Sequence, residues 1–397
     1  MDISLNETEI YRRYADRWSV LILTLAAATF LVSDWAVLYS SLGDFVLAFA
    51  VLLIFLLGKF HIQKKQMIVL LTVVTVLALT FILSYLYNDY WFSLRRAILS
   101  TVKLIFYSVS LVSLYNYIKQ EQLSSTFLKL NNILAIATVV IGIILTILIY
   151  LDSLELPHFV WSFTRQDTRS YLYAGNDAIV RTRSVFSEPA HLGHYLNILF
   201  FSNVMHKKSQ TKKTVLFILA AGILLTLSYS MILIFLISSA TVLIARLIKG
   251  DFYWSDWYLV PVAILGGLII YFWEYIDVTI IERTKSILSG EDGSANIRLF
   301  GAWTYVERDR LLMGNGIGHT PPITNIYAYI LSDFGLIGFI PSIGLTLYML
   351  LNSLPTFIFF VMMNMAKGGY LNPAFWMFLL FVFLYGISKE QNERDLY

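Results

Sequence analysis

The sequence predicts an all-α, polytopic membrane protein with about 12 transmembrane helices and two large loops on one side. Three observations carry this. The 397 residues are 58% hydrophobic and only 14% charged, and the mean hydropathy is +0.69. Soluble domains carry about 25% charged residues, and one or two cores could not hide so much apolar surface. Apolar runs long enough to cross a bilayer also recur along the whole chain. Finally, the basic residues segregate to alternate connectors.

The first run follows Arg12, Arg13 and Arg17 without a short core and small-residue cleavage site, so it reads as a retained helix. The runs predict spans at 18–38, 43–58, 66–87, 97–118, 131–151, 190–205, 214–229, 231–247, 257–273, 325–350, 354–366 and 372–388. The first contains Asp34, read as its outer end, and 325–350 contains Asp333 and several glycines. Residues 226–231 form a polar turn at membrane depth, which needs cover from protein or water.

With a cytoplasmic N-terminus, Lys59, Lys64, Lys65, Lys119, Lys129, Lys207, Lys208, Lys212, Lys213, Arg246, Lys249 and Lys389 all fall inside. This is the positive-inside arrangement. Two long connectors, 152–189 and 274–324, then lie outside. Long loops in compact proteins are usually functional. They hold Arg165, Arg169, Arg181, Arg183, Arg283, Arg298, Arg308 and Arg310 against a single Lys285. Topology needs only charge, whereas planar two-toothed recognition of phosphate or carboxylate needs Arg. The outer face therefore reads as an anion site, phosphate foremost. The alternative is pairing with loop acids such as Asp167, Glu282 or Glu307. The absence of cysteine removes disulfides, thiol nucleophiles and Cys-bound metal.

The first loop ends in Arg181-Thr-Arg183-Ser-Val-Phe-Ser-Glu188-Pro189-Ala-His191-Leu-Gly-His194. Pro189 suits the first position of a helix, whose N-terminus attracts anions. Glu188 sits at the membrane boundary, where an idle acid is costly. It reads as a catalytic or acceptor-binding group, or as a helix cap paired to an Arg. His191 and His194 suit packing or substrate hydrogen bonding; their spacing is not that of a zinc protease. The second loop and following helix carry Asn296-x-Arg298-x4-Trp303, Gly314-x-Gly316-x-Gly318-His319, Asn325-x-Tyr327 and Asp333-x-Gly335-x2-Gly338. Its glycines do not follow a strand, so no dinucleotide site is read.

The order Arg…Phe-Ser-Glu-Pro, then Arg298-x4-Trp303, the glycine run, Asn325-x-Tyr327 and Asp333-x-Gly335-x2-Gly338, resembles the bacterial O-antigen and capsule repeat-unit polymerases (Wzy) of the O-antigen ligase/polymerase superfamily. The likeness covers roughly residues 180–205 and 290–345. Ligases show His-Asn where this chain has Thr324-Asn325, which favours polymerase. The resemblance implies an inner-membrane glycosyltransferase with its active site on the periplasmic side. It would join undecaprenyl-diphosphate-linked oligosaccharide units, donor and acceptor both lipid-anchored, beside a chain-length regulator of the Wzz type. Nucleic acid has no part in it. Arg181, Arg183 and Arg298 would offset the diphosphate charge, so no metal or other cofactor is expected. Glu188 would be the base, His319 the second candidate, and His191, His194, Asn325 and Tyr327 would contact substrate. Asp333 reads as structural. The other readings are an O-antigen ligase and a lipid-linked oligosaccharide flippase.

Overall fold

A computed structural model describes residues 4–38, 40–87, 92–164, 168–173, 176–206, 213–249 and 300–387, with isolated positions at 285, 289, 293, 296 and 297. The chain is mostly helical, and it is a membrane protein by the length and apolarity of its helices. Among the described residues, five helices are long and apolar enough to cross a bilayer: α3 (Lys64–Leu86), α4 (Leu94–Gln120), α5 (Ser124–Tyr150), α9 (Tyr229–Lys249) and α10 (Ile326–Asn352). Shorter apolar helices flank them: the Arg17–Leu31 part of α1 (Ser4–Leu31), α2 (Leu42–Leu56), α8 (Lys213–Leu225), α11 (Leu354–Ala366) and α12 (Pro373–Phe381), which runs on as a wider turn to Gly386. α6 (Glu155–Trp161) is a short loop helix, and α7 (Pro189–Met205) is apolar and interior. The expected span 257–273 lies outside the described residues.

Packing explains the shapes. α3 turns Ile68, Val69, Leu71 and Leu86 outward, an apolar surface suited to lipid rather than water. α7 is the opposite case. Fifteen of its 17 residues are buried, all but His191 and Met205. It packs against α5, α8, α9 and α12.

The first span is shorter than expected. α1 stops at Leu31, and an antiparallel pair follows, β1 (Ala36–Val37) and β2 (Ser40–Ser41). Asp34 stands past the helix end. Ser41 then caps α2, accepting from the Asp44 N–H while Asp44 accepts from the Ser41 N–H. This reciprocal box starts a helix whose remaining residues are nearly all apolar. The polar turn at 226–231 is covered as required. Thr226 and Ser228 are buried, and the Thr182 N–H reaches the Leu225 carbonyl at 3.0 Å.

Contacts sort the connectors into two ends. At one end Lys59 pairs with Glu121 at 2.9 Å, Asn116 donates to the His61 carbonyl and Tyr385 to the Ser124 carbonyl. At the other end Trp35 bridges Thr164, Ser187 bonds Asp34, Lys367 meets Glu188 and the Ser93 N–H meets His319. The first long loop, with α6 and the hairpin β3 (Leu172–Tyr173)–β4 (Asn176–Val180), belongs to this second end.

Candidate active site at the α7 N-terminus

Pro189 opens α7, and Glu188 is its N-cap residue in extended conformation, as the Glu-Pro pair predicts. Its side chain makes no capping bond. It turns instead to Lys367, in the α11–α12 turn, whose Nζ donates to Oε2 at 2.7 Å. The cap-and-Arg alternative therefore fails on both counts. Burial favours the neutral acid, but the Lys367 charge, His191 and the Lys367 hydrogen bond outweigh it and hold Glu188 down at about 2.

One turn along α7, His191 Nδ1 bonds the Asp34 carboxylate. Ser187 Oγ donates to the same carboxylate at 2.8 Å. Burial acts to raise the Asp34 pKa, but His191, Ser187 and Lys367 together lower it to about 2. An ionised Asp34 can only accept, so Nδ1 carries the proton, and in the neutral imidazole Nε2 is then the lone-pair nitrogen.

Two cavities adjoin at this cluster. One, of about 290 Å³, is lined by Ser33, Ser40, Ser41, Ser187 and Lys103. The other, of about 430 Å³, is lined by Phe30, Phe186, Glu188, His194, Tyr329 and Lys367. Asp34 and His191 line both. Lys103, on α4, is held by Asp44 at 2.9 Å, and Asp44 also accepts from Tyr107. His194 is buried between Phe30 and Phe378. Among the described residues no three His, Asp or Glu side chains form a metal-ligand group.

The remaining expected site residues stand elsewhere. Arg183 is 1% exposed; its guanidinium lies 3.8 Å over the Trp161 ring and Nη1 donates to Ser170. Arg181 Nε reaches the Thr226 carbonyl at 3.4 Å. Neither arginine lines either of these two cavities; both help to fold the first loop onto the bundle. Arg298 lies outside the described residues. Asn325 caps α10 through Oδ1, which accepts from the Tyr327 and Ala328 N–H groups. The Tyr327 hydroxyl meets Thr346 within the same helix. His319 stacks on Phe92 at 4.9 Å. Its Nε2 accepts from the Ser93 N–H at 2.8 Å, and Nδ1 faces the Ile317 carbonyl at 3.2 Å.

Asp333 is fully buried. It accepts from the N–H groups of Gly318 and Thr320 and from Tyr370, a structural use as expected. Lys367, Asp34 and Lys103 were the residues that sequence reasoning did not place in a site. The signal was faint: an acid just past a span, and single lysines away from the Lys-rich connectors read as cytoplasmic. No protein-family model matches the chain, and no curated protein matches it.

Proposed function

We propose that this protein is a lipid-linked oligosaccharide polymerase. It would transfer a glycan from one undecaprenyl-diphosphate carrier to a hydroxyl of a second carrier-linked unit, on the outer face of a bacterial inner membrane and without a metal. The observation that supports this reading best is the wall shared by the two cavities. A reaction between two bulky substrates needs adjoining subsites with proton-accepting and cationic groups between them. Asp34 and His191 stand in the shared wall, and Glu188 with its partner Lys367 lines the larger cavity beside them. The Lys segregation supports placing that end outside, where lipid-linked units are joined. Arg298 remains the proposed diphosphate ligand, with Lys367 beside the larger cavity. The departing diphosphate needs such positive charge, since electrostatic stabilisation is usually the largest catalytic term.

The test is purified protein in detergent or nanodiscs with lipid-linked repeat units and a chelator. The expected result is a ladder of longer lipid-linked chains. No elongation would overturn the polymerase reading, and elongation lost only to the chelator would overturn metal independence. A flippase is the second reading. It is favoured by Lys103, Asp44 and Tyr107, which lie within helices and bond one another, as groups lining a transport path do. Translocation in proteoliposomes with no change of chain length would establish it.

A further inference from the structure

Resting on that glycosyl-transfer reading, we propose that His191 is the catalytic residue that takes the proton of the acceptor hydroxyl. Asp34 is its positioning residue, and the acceptor sits in the serine-lined cavity while the donor occupies the larger one. Four observations carry this.

α7 buries every residue except its last, Met205, and His191, so His191 is the one polar side chain of the helix that is not buried. Nδ1 of that imidazole is committed to Asp34, with Ser187 alongside. Nε2 has no hydrogen-bond partner among the described residues, and the ring is 20% exposed. Of the six residues that line both cavities, Asp34 and His191 are the titratable ones, and the shared wall is where a proton must leave one substrate as it joins the other.

The two candidates named from the sequence are less suited. Glu188 is bound to Lys367 at 2.7 Å, and a carboxylate held at about 2 is a weak base. His319 has both ring nitrogens against backbone groups. It lines neither cavity.

The acceptor oxygen forms a bond to the donor's anomeric carbon. The bond from that carbon to the phosphate oxygen breaks, and its electron pair leaves with the lipid diphosphate. The acceptor proton passes to Nε2, and the resulting imidazolium is stabilised by the Asp34 carboxylate. Loss of that proton to water returns the neutral ring.

The experiment uses the full chain in nanodiscs with lipid-linked repeat units. It measures turnover and, separately, the affinity for a fluorescent lipid-linked donor. His191→Gln is expected to slow turnover by about 10²–10⁴-fold with donor affinity within about three-fold of wild type. Asp34→Asn is expected to slow it by a similar order through the wrong tautomer, and Asp34→Glu to recover part of the loss. The double variant should be no slower than the slower single one, because the pair acts as a unit. His191→Asn is the second variant should Gln prevent folding. A wild-type protein that elongates nothing would bring down the polymerase reading itself. An active wild type with His191→Gln within five-fold of it, or losses that multiply in the double variant, would overturn this assignment alone.

Discussion

Glu188, Arg183 and His191 were three polar residues of one short segment, and each has found a different use. Glu188 balances Lys367 in a partly buried pair. Its carboxyl is lower in the folded protein, at about 2, than the roughly 4.3 of an unfolded glutamate. The stability this gives is therefore complete above about pH 5 and is lost as the pH falls from about 4 toward 2. Glu188→Gln should flatten part of the fall in melting temperature between pH 5 and 3. An unchanged slope would show that the pair contributes nothing. The same variant should slow turnover by no more than about ten-fold, against the roughly 10²–10⁴ expected of a base. Arg183 packs its guanidinium on Trp161, where lysine cannot stack as a plane. Arg183→Lys should lower stability by about 1–2 kcal/mol, read by thermal unfolding. The folded fraction should keep turnover within a few-fold of wild type. Full stability with lost turnover would return Arg183 to the diphosphate.

At the scale of elements, the glycine signature works as a latch between the second loop and α10. Gly335 breaks the helix with φ +60°, and a Cβ there would lie 2.4 Å from the Leu312 carbonyl oxygen. Gly314, at φ +73°, faces the Asp333 carbonyl just as closely, at 2.5 Å. Across this contact the Asn315 N–H reaches the Ser332 carbonyl at 2.7 Å, and the Leu336 N–H reaches Leu311 at 2.9 Å. Both positions demand a conformation that side chains resist, and backbone cannot move aside. Gly314→Ala and Gly335→Ala should each sharply reduce the yield of folded protein on size-exclusion chromatography. Gly344, in the same helix, would meet nothing within 4 Å, so Gly344→Ala should stay within about 0.5 kcal/mol of wild type. Equal behaviour of the three variants would refute the latch.

For the whole molecule, the decisive property is which end faces out. Ser153 is exposed beside α6, and Gln122 is exposed at the opposite end between α4 and α5. The chain has no cysteine of its own. A membrane-impermeant thiol reagent on intact cells should label Ser153→Cys, and should reach Gln122→Cys only after permeabilisation. The reverse pattern would put the α7 site in the cytoplasm and remove the polymerase reading with it.

Hydropathy by itself determined that the chain is helical and membrane-embedded, and where most helices lie, because lipid imposes a length and an apolar composition that can be read residue by residue. The start of α7 at Pro189 was legible for a similar reason, since the cap is a local preference. Glu188, His191 and His194 were legible as neighbours because they share one helix end. Only the tertiary structure decided which groups join them. Asp34 is 157 positions from His191, and Lys367 is 179 from Glu188. No spacing rule links residues so far apart; packing of α7 against its neighbours does. The same packing withdrew Arg181 and Arg183 into the fold of the first loop, because a residue type that suits phosphate also suits an aromatic face or a buried carbonyl, and sequence alone does not say which it meets.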